Sequence, residues 1–562
     1  MKKYINKKYS IAVIFAAVLF TGCDKYLDVN EDKDNPTVAP LALLLTNTNV
    51  SVGNTTDFQF YTGDILQVYT HQMVVREEQD QYGAKVDNIL INNEWNNIYL
   101  TLTDIQSIID QGTATESMAY VGIAQLEKAY LMSVAVDLWG DVPYSQATML
   151  KQGIVSPVYD NQEDIYASVL ELIDTAKANL AIETGQMPGG DDLYYGGDTA
   201  KWIKFANTLK LKLYNQIRST PLYNAADVAA LIAEDNFFDS IDDDFEFKHT
   251  GNASPSEERN KLYVESYGST QFSTYMSPWF YEILKGWNPD IHTGTADPRI
   301  PYYFFNQLTP GEFPPDQGDA ETGNPKADYW DAATGFFSIR FGSVGPYRDS
   351  SAENSYTYPG IFPTGGRYDD GAGGVMDISS GTGIAPHRML TYDEFLYIKA
   401  EMMLAGAIPG DAAATLEEAM AASFAKVDQV VTLSQTTQTV PALTGRADVL
   451  AFVDDILAEY AAGDNAKKLE VIMTQKWVAT FGDPGDQYTD YRRTGYPVLA
   501  NPNGPSPEYQ LDNGDGFPLL DSQTVVNNPF QLSLFWPQTE LNANANAPGQ
   551  KNVATYKIFW DN

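Results

Sequence analysis

Cysteine and histidine are nearly absent from this chain. Its 562 residues include one cysteine and four histidines. A single cysteine excludes an internal disulfide framework and any zinc site built from several cysteines. The histidines lie far apart in the sequence, so we do not expect a multi-histidine metal centre. They are His71, His249, His292 and His387.

Positive charge is also scarce. Lysine and arginine number 36 against 74 aspartates and glutamates, so the formal net charge is −38. Such a surface repels phosphate backbones, which excludes nucleic-acid binding. Hydrophobic residues nevertheless make up 44% of the chain and aromatic residues 12%, unlike an acidic disordered tail. The composition therefore predicts a folded body with a sizeable core.

Long hydrophobic runs are missing. The run Ile11–Phe20 has ten apolar residues, whereas a membrane-spanning helix needs about 20. It follows four lysines, which is typical of an export signal. The next residues, LFTGC at 19–23, resemble a lipobox, in which a peptidase cuts after Gly22 and Cys23 is acylated. The alternative, an ordinary signal peptide with an incidental cysteine, leaves the position of the only cysteine unexplained.

These features divide the chain into three parts. We predict a lipoprotein signal peptide over residues 1–22, a lipidated tether over 23–37 and a single domain over 38–562. The tether is polar and contains Pro36, as expected of a spacer between a lipid and a folded body. Two or more acyl chains on Cys23 would give stable anchoring at a membrane surface.

Apolar residues recur at steps of three and four in many segments, which predicts helices. Gly140 is a typical helix stop, and capping boxes are predicted at Asp160-x-x-Glu163 and Thr391-x-x-Glu394. Strand-type alternation is scarce, so we predict a mainly α fold. The predicted helices cover roughly residues 54–74, 88–110, 119–138, 161–180, 199–217, 224–234, 391–406, 446–461 and 465–480.

Two regions lack this helical pattern. Residues 241–385 and 482–550 are rich in glycine, proline and short polar residues, and they carry aromatic residues without a clear period. Long irregular stretches inside a folded protein are commonly functional loops on a rigid scaffold. We therefore expect a helical scaffold over about 38–240 and 386–481, with the ligand-binding region in the two loop-rich stretches.

Motifs for catalysis are missing as well. The sequence has no glycine-rich phosphate loop, no G-x-S-x-G elbow and no H-E-x-x-H zinc motif. Carboxylates are abundant, but nothing in the sequence places two of them around a cleft, as a glycosidase requires. We therefore predict no catalytic residue, no metal site and no cofactor.

Aromatic residues are concentrated between Tyr329 and Asp370, where ten occur in 42 residues together with three arginines. Sugar rings stack on aromatic planes and their hydroxyl groups need polar partners, and peptides use the same groups. This stretch is therefore a candidate ligand platform. The alternative is that its rings hold a long loop against the helices. The candidate contacts are Trp330, Tyr347, Arg348, Tyr356 and Tyr358.

A second candidate rim is the loop VREEQDQY at residues 75–82, which lies between two predicted helices. Its charged and amide side chains suit a polar ligand, although a solvated turn is the alternative. The candidate contacts here are Arg76, Gln79 and Tyr82.

Eight segments, in order along nearly the whole chain, resemble the SusD/RagB family of Bacteroidetes outer-membrane lipoproteins, in particular its SusD-like nutrient-binding branch. Each segment alone is weakly specific, but together and in order they are specific. They are LDVNEDKDNPT (27–37), AQLEKAYLMSVAVDLWGDVPYSQA (124–147), YDNQEDIYASVLELIDTA (159–176), YYGGDTAKWIKFANTLKLKL (194–213), MLTYDEFLYIKAEMMLAGA (389–407), KLEVIMTQKWVATFGDPGDQYTDYRRTGYP (468–497), FWPQTELNANA (535–545) and KIFWDN (557–562).

The resemblance implies tetratricopeptide-like helix pairs that form a scaffold, with the ligand site on long irregular loops and no catalytic activity. It also implies attachment to the outer membrane through the lipid on Cys23, at the cell exterior, and a SusC-like TonB-dependent transporter as partner. Family members capture oligosaccharides, and some capture peptides. We expect packing or capping roles, not ligand contacts, for Trp202, Trp477, Arg492 and Arg493.

Four functions remain open from the sequence. We favour a nutrient-binding lipoprotein that captures oligosaccharides for a transporter. A peptide-binding lipoprotein of the same type is the nearest alternative. The other two are a lipid-anchored glycoside hydrolase and a purely structural surface protein. The hydrolase would turn over glycans, and the structural protein would show no saturable binding.

The lipid anchor can be tested with Cys23→Ser. This change removes the thiol that would carry the lipid, and no other apolar run of membrane length replaces it. We expect the protein to move from the membrane fraction to the soluble fraction, as measured by fractionation and immunoblotting of cells. Retention of the variant in washed membranes would contradict the lipoprotein assignment.

Overall fold

The computed structural model describes residues 39–57, 62–76, 80–268, 274–314, 328–345, 348, 353–499 and 525–561. The predicted signal peptide and tether, including Cys23, lie outside the described residues, as do Gln79 and Tyr347. Within the described residues, helices carry most of the regular structure and the strands are short. The fold is therefore mainly α, as predicted.

The described residues form seventeen α-helices. They are α1 Leu41–Thr56, α2 Thr62–Tyr69, α3 Ile89–Ala114, α4 Met118–Trp139, α5 Gln162–Leu180, α6 Thr199–Gln216, α7 Ala225–Glu234, α8 Lys261–Gly268, α9 Pro278–Leu284, α10 Ile300–Tyr303, α11 Ile361–Thr364, α12 Tyr392–Leu404, α13 Ala412–Leu433, α14 Ala447–Ala462, α15 Asn465–Ala479, α16 Pro484–Thr494 and α17 Gln538–Ala543.

Eight short strands pair two by two into antiparallel sheets: β1 with β3, β2 with β8, β4 with β7, and β5 with β6. Most of these pairs join distant parts of the chain, and β5–β6 is a local hairpin. The strands are β1 Met73–Val75, β2 Phe245–Phe247, β3 Thr274–Met276, β4 Phe304–Phe305, β5 Tyr329–Asp331, β6 Phe336–Ser338, β7 Tyr358–Pro359 and β8 His387–Leu390.

Helix α4 has almost no exposed side, since 19 of its 22 residues are buried. It packs most extensively on α5 and also on α3, and α3 in turn packs on α1. In the second half of the chain, α12 packs on α13 and α15, and α14 packs on α15. Neighbouring helices along the chain thus pack as pairs, and these pairs form the scaffold that carries the loops.

The end of α4 at Trp139 confirms the predicted stop, because Gly140 has a φ of 76° that favours glycine. Both predicted capping boxes are wrong. Asn161 caps α5 by accepting a hydrogen bond from the backbone N–H of Glu163 at 2.9 Å. Asp160 instead accepts hydrogen bonds from the backbone of the Tyr144 loop. At α12 the side chain of Thr391 makes no cap.

One predicted helix, over 54–74, is also wrong. The chain forms α1 and α2 there, and Asp57 between them is extended, with its carboxylate 2.9 Å from Nε2 of His249. Helix α13 was not predicted, although Asp411 at its start is a capping residue that accepts from two backbone N–H groups. Leu416, Met420 and Val427 recur at helical spacing and were a further signal. Helix α16 was not predicted either, and it lies inside the stretch predicted as loop-rich.

The C-terminal residues are fastened to the end of α4. The indole Nε1 of Trp139 donates to the carbonyl oxygen of Phe535, and that of Trp536 donates to the carbonyl oxygen of Asp141, both at 3.0 Å. The hydroxyl of Tyr556 lies 3.2 Å from the backbone nitrogen of Asp141 and accepts its proton. These bonds join positions about 400 residues apart in the sequence.

None of the helices within the described residues combines the length and the apolar composition that crossing a membrane requires.

The contact between α4 and the C-terminal residues can be tested with Gly140→Ala. A Cβ at this position would lie 2.6 Å from Cε1 of Tyr556. Gly153→Ala is the control for a left-handed residue without neighbours, because Gly153 has a φ of 85° and a ψ of 8° and nothing within 4 Å. We expect the control to lose about 1 kcal/mol through its backbone conformation. Gly140→Ala should lose about 1–3 kcal/mol more, through overpacking against Tyr556 and through its ψ of −120°, which lies outside the left-handed region.

The free energies of unfolding come from urea titrations of both variants. Equal losses of unfolding free energy in the two variants would show that Tyr556 does not restrict the backbone at Gly140.

Candidate functional site

The two candidate contact stretches, the aromatic-rich residues 329–370 and the rim loop 75–82, meet at the β1–β3 strand pair. Val75 of β1 lies opposite Thr274 of β3. Arg348 donates from Nη2 to the carbonyl oxygen of Val75 at 2.9 Å, so the aromatic-rich stretch lies against the predicted rim loop. We call this surface the ligand face. It comprises strands β1 and β3, residues 80–90, the β5–β6 hairpin, Arg348 and residues 353–358.

The rim loop is closed by its own side chains and held by the C-terminal part of the chain. Gln81 accepts a hydrogen bond from the backbone N–H of Val75 at 2.8 Å. The carboxylate of Asp80 accepts from the backbone N–H groups of Asn527 and Asn528 at 3.0 and 2.9 Å. The two described ends of the loop, at Val75 and at Asp80–Tyr82, are therefore anchored to the rest of the protein. Arg76, at its start, is half-buried.

Tyr82 lies inside this loop and is 8% exposed. Its hydroxyl is 2.8 Å from Nε2 of His71, and its ring centre is 5.3 Å from that of Phe341. Burial lowers the pKa of His71 to about 3, so the imidazole is neutral at neutral pH. Tyr82 thus fastens the rim to the core.

The predicted platform rings pack against other rings of the protein. Tyr356 stacks on Tyr275 of β3 with ring centres 4.0 Å apart, and Trp330 contacts Phe313 edge to face at 5.0 Å. Tyr358 is 5% exposed. Such contacts are expected if the rings hold a long loop against the rest of the protein, which was the alternative interpretation of the aromatic stretch. Ligand contact by these residues stays a prediction. The sequence analysis missed Tyr275, whose place beside Tyr356 depends on the pairing of β1 with β3.

Two buried donors on the ligand face have no hydrogen-bond partner among the described residues. The indole Nε1 of Trp330 and the hydroxyl of Ser355 make no hydrogen bond within the described parts of the chain. Trp330 is 7% exposed and Ser355 is 1% exposed. Because buried polar groups are nearly always hydrogen-bonded, these two donors call for a partner such as water or a ligand hydroxyl.

An open cavity of about 260 Å³ lies on one side of the ligand face. Ile65 and Val68 of α2 give it an apolar side, and Asp80, Lys85 and Asn88 give it a polar edge. Pockets that enclose a small molecule begin at about 300 Å³. The cavity can therefore accept one end of an extended ligand while the rest lies across the surface.

The carboxylates that approach one another most closely are engaged by lysines. Oxygens of Glu394, Asp483 and Asp486 lie within 4.8 Å of one another, as in a cation site. The ammonium of Lys212 contacts Asp486 and is 3.5 Å from Glu394, and that of Lys476 is 3.4 Å from Glu394. Burial and the neighbouring Asp486 raise the pKa of Glu394 to about 8. Two ammonium groups already occupy the place that a metal ion would take.

A second buried ion pair joins α12 to α16. Arg493 donates to both carboxylate oxygens of Glu401, from Nη2 at 2.7 Å, and Arg218 donates to the same carboxylate at 3.0 Å. Burial alone would raise the pKa of Glu401, but the charges of Arg493 and Arg218 lower it to about 2. Glu401 is therefore ionised at neutral pH and holds the two helices together.

A family model described as "Starch-binding associating with outer membrane" matches residues 33–513 of this chain. The chain belongs to this SusD-like family. The match covers the scaffold and most of the loop-rich regions, and its description associates the family with the outer membrane. No curated protein sequence matches the chain.

Solved structures of SusD homologues share the fold. One from Bacteroides fragilis has a TM-score of 0.65 at 21% identity, covering 93% of this chain and 100% of that one. A SusD/RagB family protein from Bacteroides thetaiotaomicron has a TM-score of 0.64 at 20% identity, covering 93% and 99%. A chitin-binding SusD homologue from Flavobacterium johnsoniae has a TM-score of 0.61 at 20% identity, covering 92% and 98%. The predicted tetratricopeptide-like scaffold is thus confirmed.

Residues assigned packing roles from the family resemblance lie in the core of this SusD-like chain. Trp202 is fully buried, and Trp477 donates from Nε1 to the carbonyl oxygen of Thr70 at 3.1 Å. Arg492 donates to the carbonyl oxygen of Asp137 at 2.6 Å. These side chains hold helices together, as predicted.

The buried ion pair can be tested with Glu401→Gln. The pKa of this carboxyl is 4.5 when unperturbed and about 2 in the folded protein, so its stabilisation is present above pH 4.5 and lost as pH falls from 4.5 towards 2. The difference corresponds to about 3 kcal/mol at neutral pH. We expect the variant to lose about this much at pH 7, and the difference from the parent to shrink below pH 4.5.

Urea unfolding at several pH values measures this difference. Glu417→Gln, on the exposed side of α13, is the control and should change little. A loss in Glu401→Gln that stays constant down to pH 2 would contradict the ionic account.

Proposed function

We propose that this SusD-like chain is a surface-exposed lipoprotein that captures oligosaccharides on the ligand face and delivers them to a SusC-like TonB-dependent outer-membrane transporter. The observation that carries the proposal is the bond from Arg348 to Val75, which joins the aromatic stretch and the rim loop into one surface. The lipid on Cys23 and the tether over 23–37 would hold this surface outside the cell.

Two features of the ligand face and the comparison with relatives support a sugar as ligand. The cavity accepts one end of an extended molecule and leaves the rest at the surface. Trp330 and Ser355 offer buried donors that no described residue engages, and sugar hydroxyls are suitable acceptors. The family description names starch, and a relative with the same fold binds chitin. We therefore place glycans before peptides as ligands.

The proposal includes binding without catalysis. A glycosidase needs one carboxyl group with a raised pKa beside its substrate. Glu394 has such a raised pKa, but it lies between α6, α12 and α15 with Lys212 and Lys476 as partners. Its role is therefore explained by the packing of charged side chains.

The ligand face can be tested with Trp330→Phe and Ser355→Ala, which remove one donor each and keep most of the packing. A panel of starch and chitin oligosaccharides, with peptides alongside, is first titrated against the parent protein by calorimetry. We expect saturable glycan binding, and each variant should weaken it by about 0.5–1.5 kcal/mol, the usual net value of one hydrogen bond. The melting temperature should change little.

Trp287→Phe is the matched control. Trp287 contacts Tyr281, which stacks on Phe336, so it lies on the other side of the β5–β6 hairpin from Trp330. Unchanged glycan affinity in both test variants would show that the glycan does not bind at the ligand face. Release of reducing ends from a glycan would support the hydrolase instead. Binding of peptides alone, weakened by both ligand-face variants, would support the peptide-binding alternative.

A further inference from the structure

A larger cavity lies away from the ligand face, between helices α3 and α4 and the segment 143–157. Its volume is about 700 Å³, which is within the range of small-molecule sites. We call it the outer cavity. Side chains of α3, the loop after α4 and Glu540 of α17 line it.

Lys128 projects into the outer cavity from α4, where nearly all other residues are buried. Its ammonium lies 5.2 Å from the centre of the Tyr144 ring. Lys128 makes no ion pair or hydrogen bond with any residue in the described ranges, although it is only partly exposed. Burial lowers the pKa of Lys128, and the charge of Asp110 opposes this only in part. A partly desolvated ammonium that has a tyrosine ring beside it but no ion pair within the described residues favours an anionic ligand.

The two carboxylates that line the outer cavity are engaged elsewhere. Asp110 accepts a hydrogen bond from the amide of Gln106 at 2.8 Å, and Glu540 accepts one from the amide of Asn544 at 2.9 Å. Neither forms an ion pair with Lys128. Lys128 and the exposed Lys151 are the two cations among the lining residues that a ligand carboxylate can approach.

The aromatic rings of the outer cavity do not suit the stacking of a sugar. Trp95 is 3% exposed, and the ring face of Tyr144 is turned to Lys128. The hydroxyl of Tyr99 donates to the carbonyl oxygen of Pro143. Polar side chains that include Asn96 and Gln152 also line the cavity, so the absence of an open ring plane is what disfavours a sugar.

Aliphatic side chains lie beside the ammonium. Leu100 and Leu150 are 67% and 70% exposed, and Met149 is 37% exposed. All three line the outer cavity. Exposed leucines at the mouth of a cavity are typical of a surface that receives an apolar group.

We propose that the outer cavity binds a carboxylate joined to a branched aliphatic group, as at the C-terminus of a peptide that ends in leucine. The carboxylate pairs with Lys128, and the aliphatic group lies against Leu100, Met149 and Leu150. The cavity is separate from the ligand face and serves a ligand of different chemistry, so its occupation does not depend on glycan binding.

The experiment compares acetyl-Ala-Ala-Leu with a free carboxyl group and the same tripeptide as its amide, by titration calorimetry on the purified full chain. We expect the acid to bind about tenfold more tightly or better, since the carboxylate makes a charge-assisted bond. Lys128→Gln should reduce the preference for the acid severalfold, since Lys151 remains in the lining. Leu150→Ser, at an exposed position, should weaken both ligands severalfold.

Lys399→Gln is the matched control. Lys399 lies 5.2 Å from the centre of the Phe395 ring, the same distance as in the Lys128–Tyr144 pair, but on α12 and outside the outer cavity. This variant should keep the preference for the acid. Octanoate serves as a second ligand. If octanoate binds as tightly as the tripeptide acid, the natural ligand is a simple aliphatic acid. If octanoate binds more weakly, the peptide part contributes to binding and the ligand is a peptide.

Equal affinity for acid and amide in the parent protein would overturn the proposal, as would an unchanged preference in Lys128→Gln. Loss of glycan binding in the ligand-face variants would leave this result untouched, because those variants lie outside the outer cavity.

Discussion

The last turn of α4 is the constraint on which the rest of the structure depends. The final carbonyl groups of a helix have no partner within it, and burial here leaves them dependent on other side chains. Arg492 donates to the carbonyl oxygen of Asp137 at 2.6 Å, and Lys551 donates to that of Trp139 at 2.5 Å. The same C-terminal region reaches the ligand face, where Gln531 donates to the carbonyl oxygen of Tyr82 at 2.9 Å. The position of the rim loop therefore depends on how α4 ends.

Negative charge is in excess over the whole chain, but in the interior acidic side chains are often paired with cations. The chain is strongly acidic, yet several of its buried acids have cationic partners, as Glu401 has in Arg493 and Asp244 has in Lys426 at 2.8 Å. Breaking such a pair leaves an uncompensated buried charge, which costs more than the pair itself contributes. The excess of negative charge is thus left to the surface, where water solvates it.

Much of the scaffold was predictable, because helices such as α5 and α6 show a regular apolar stripe, and Gly140 marks a helix end by its own conformational freedom. The break at Asp57 was not predictable, since it depends on His249, almost 200 residues away in the sequence. The candidate site divides in the same way. Arg76 and Arg348 were identified by residue type, but nothing in the sequence indicates that Arg348 reaches β1, or that Tyr275 stacks on Tyr356.

The amino-acid sequence by itself determined the class of protein: a mainly α scaffold, an acidic surface and an ordered set of SusD-like segments, because helical periodicity, charge and local motifs are properties of neighbouring residues. Only the tertiary structure decided which rings are covered, which acids are paired and which surfaces stay open. Those properties arise from contacts between residues that are hundreds of positions apart, and their free energies depend on burial, which exists only once the chain has folded.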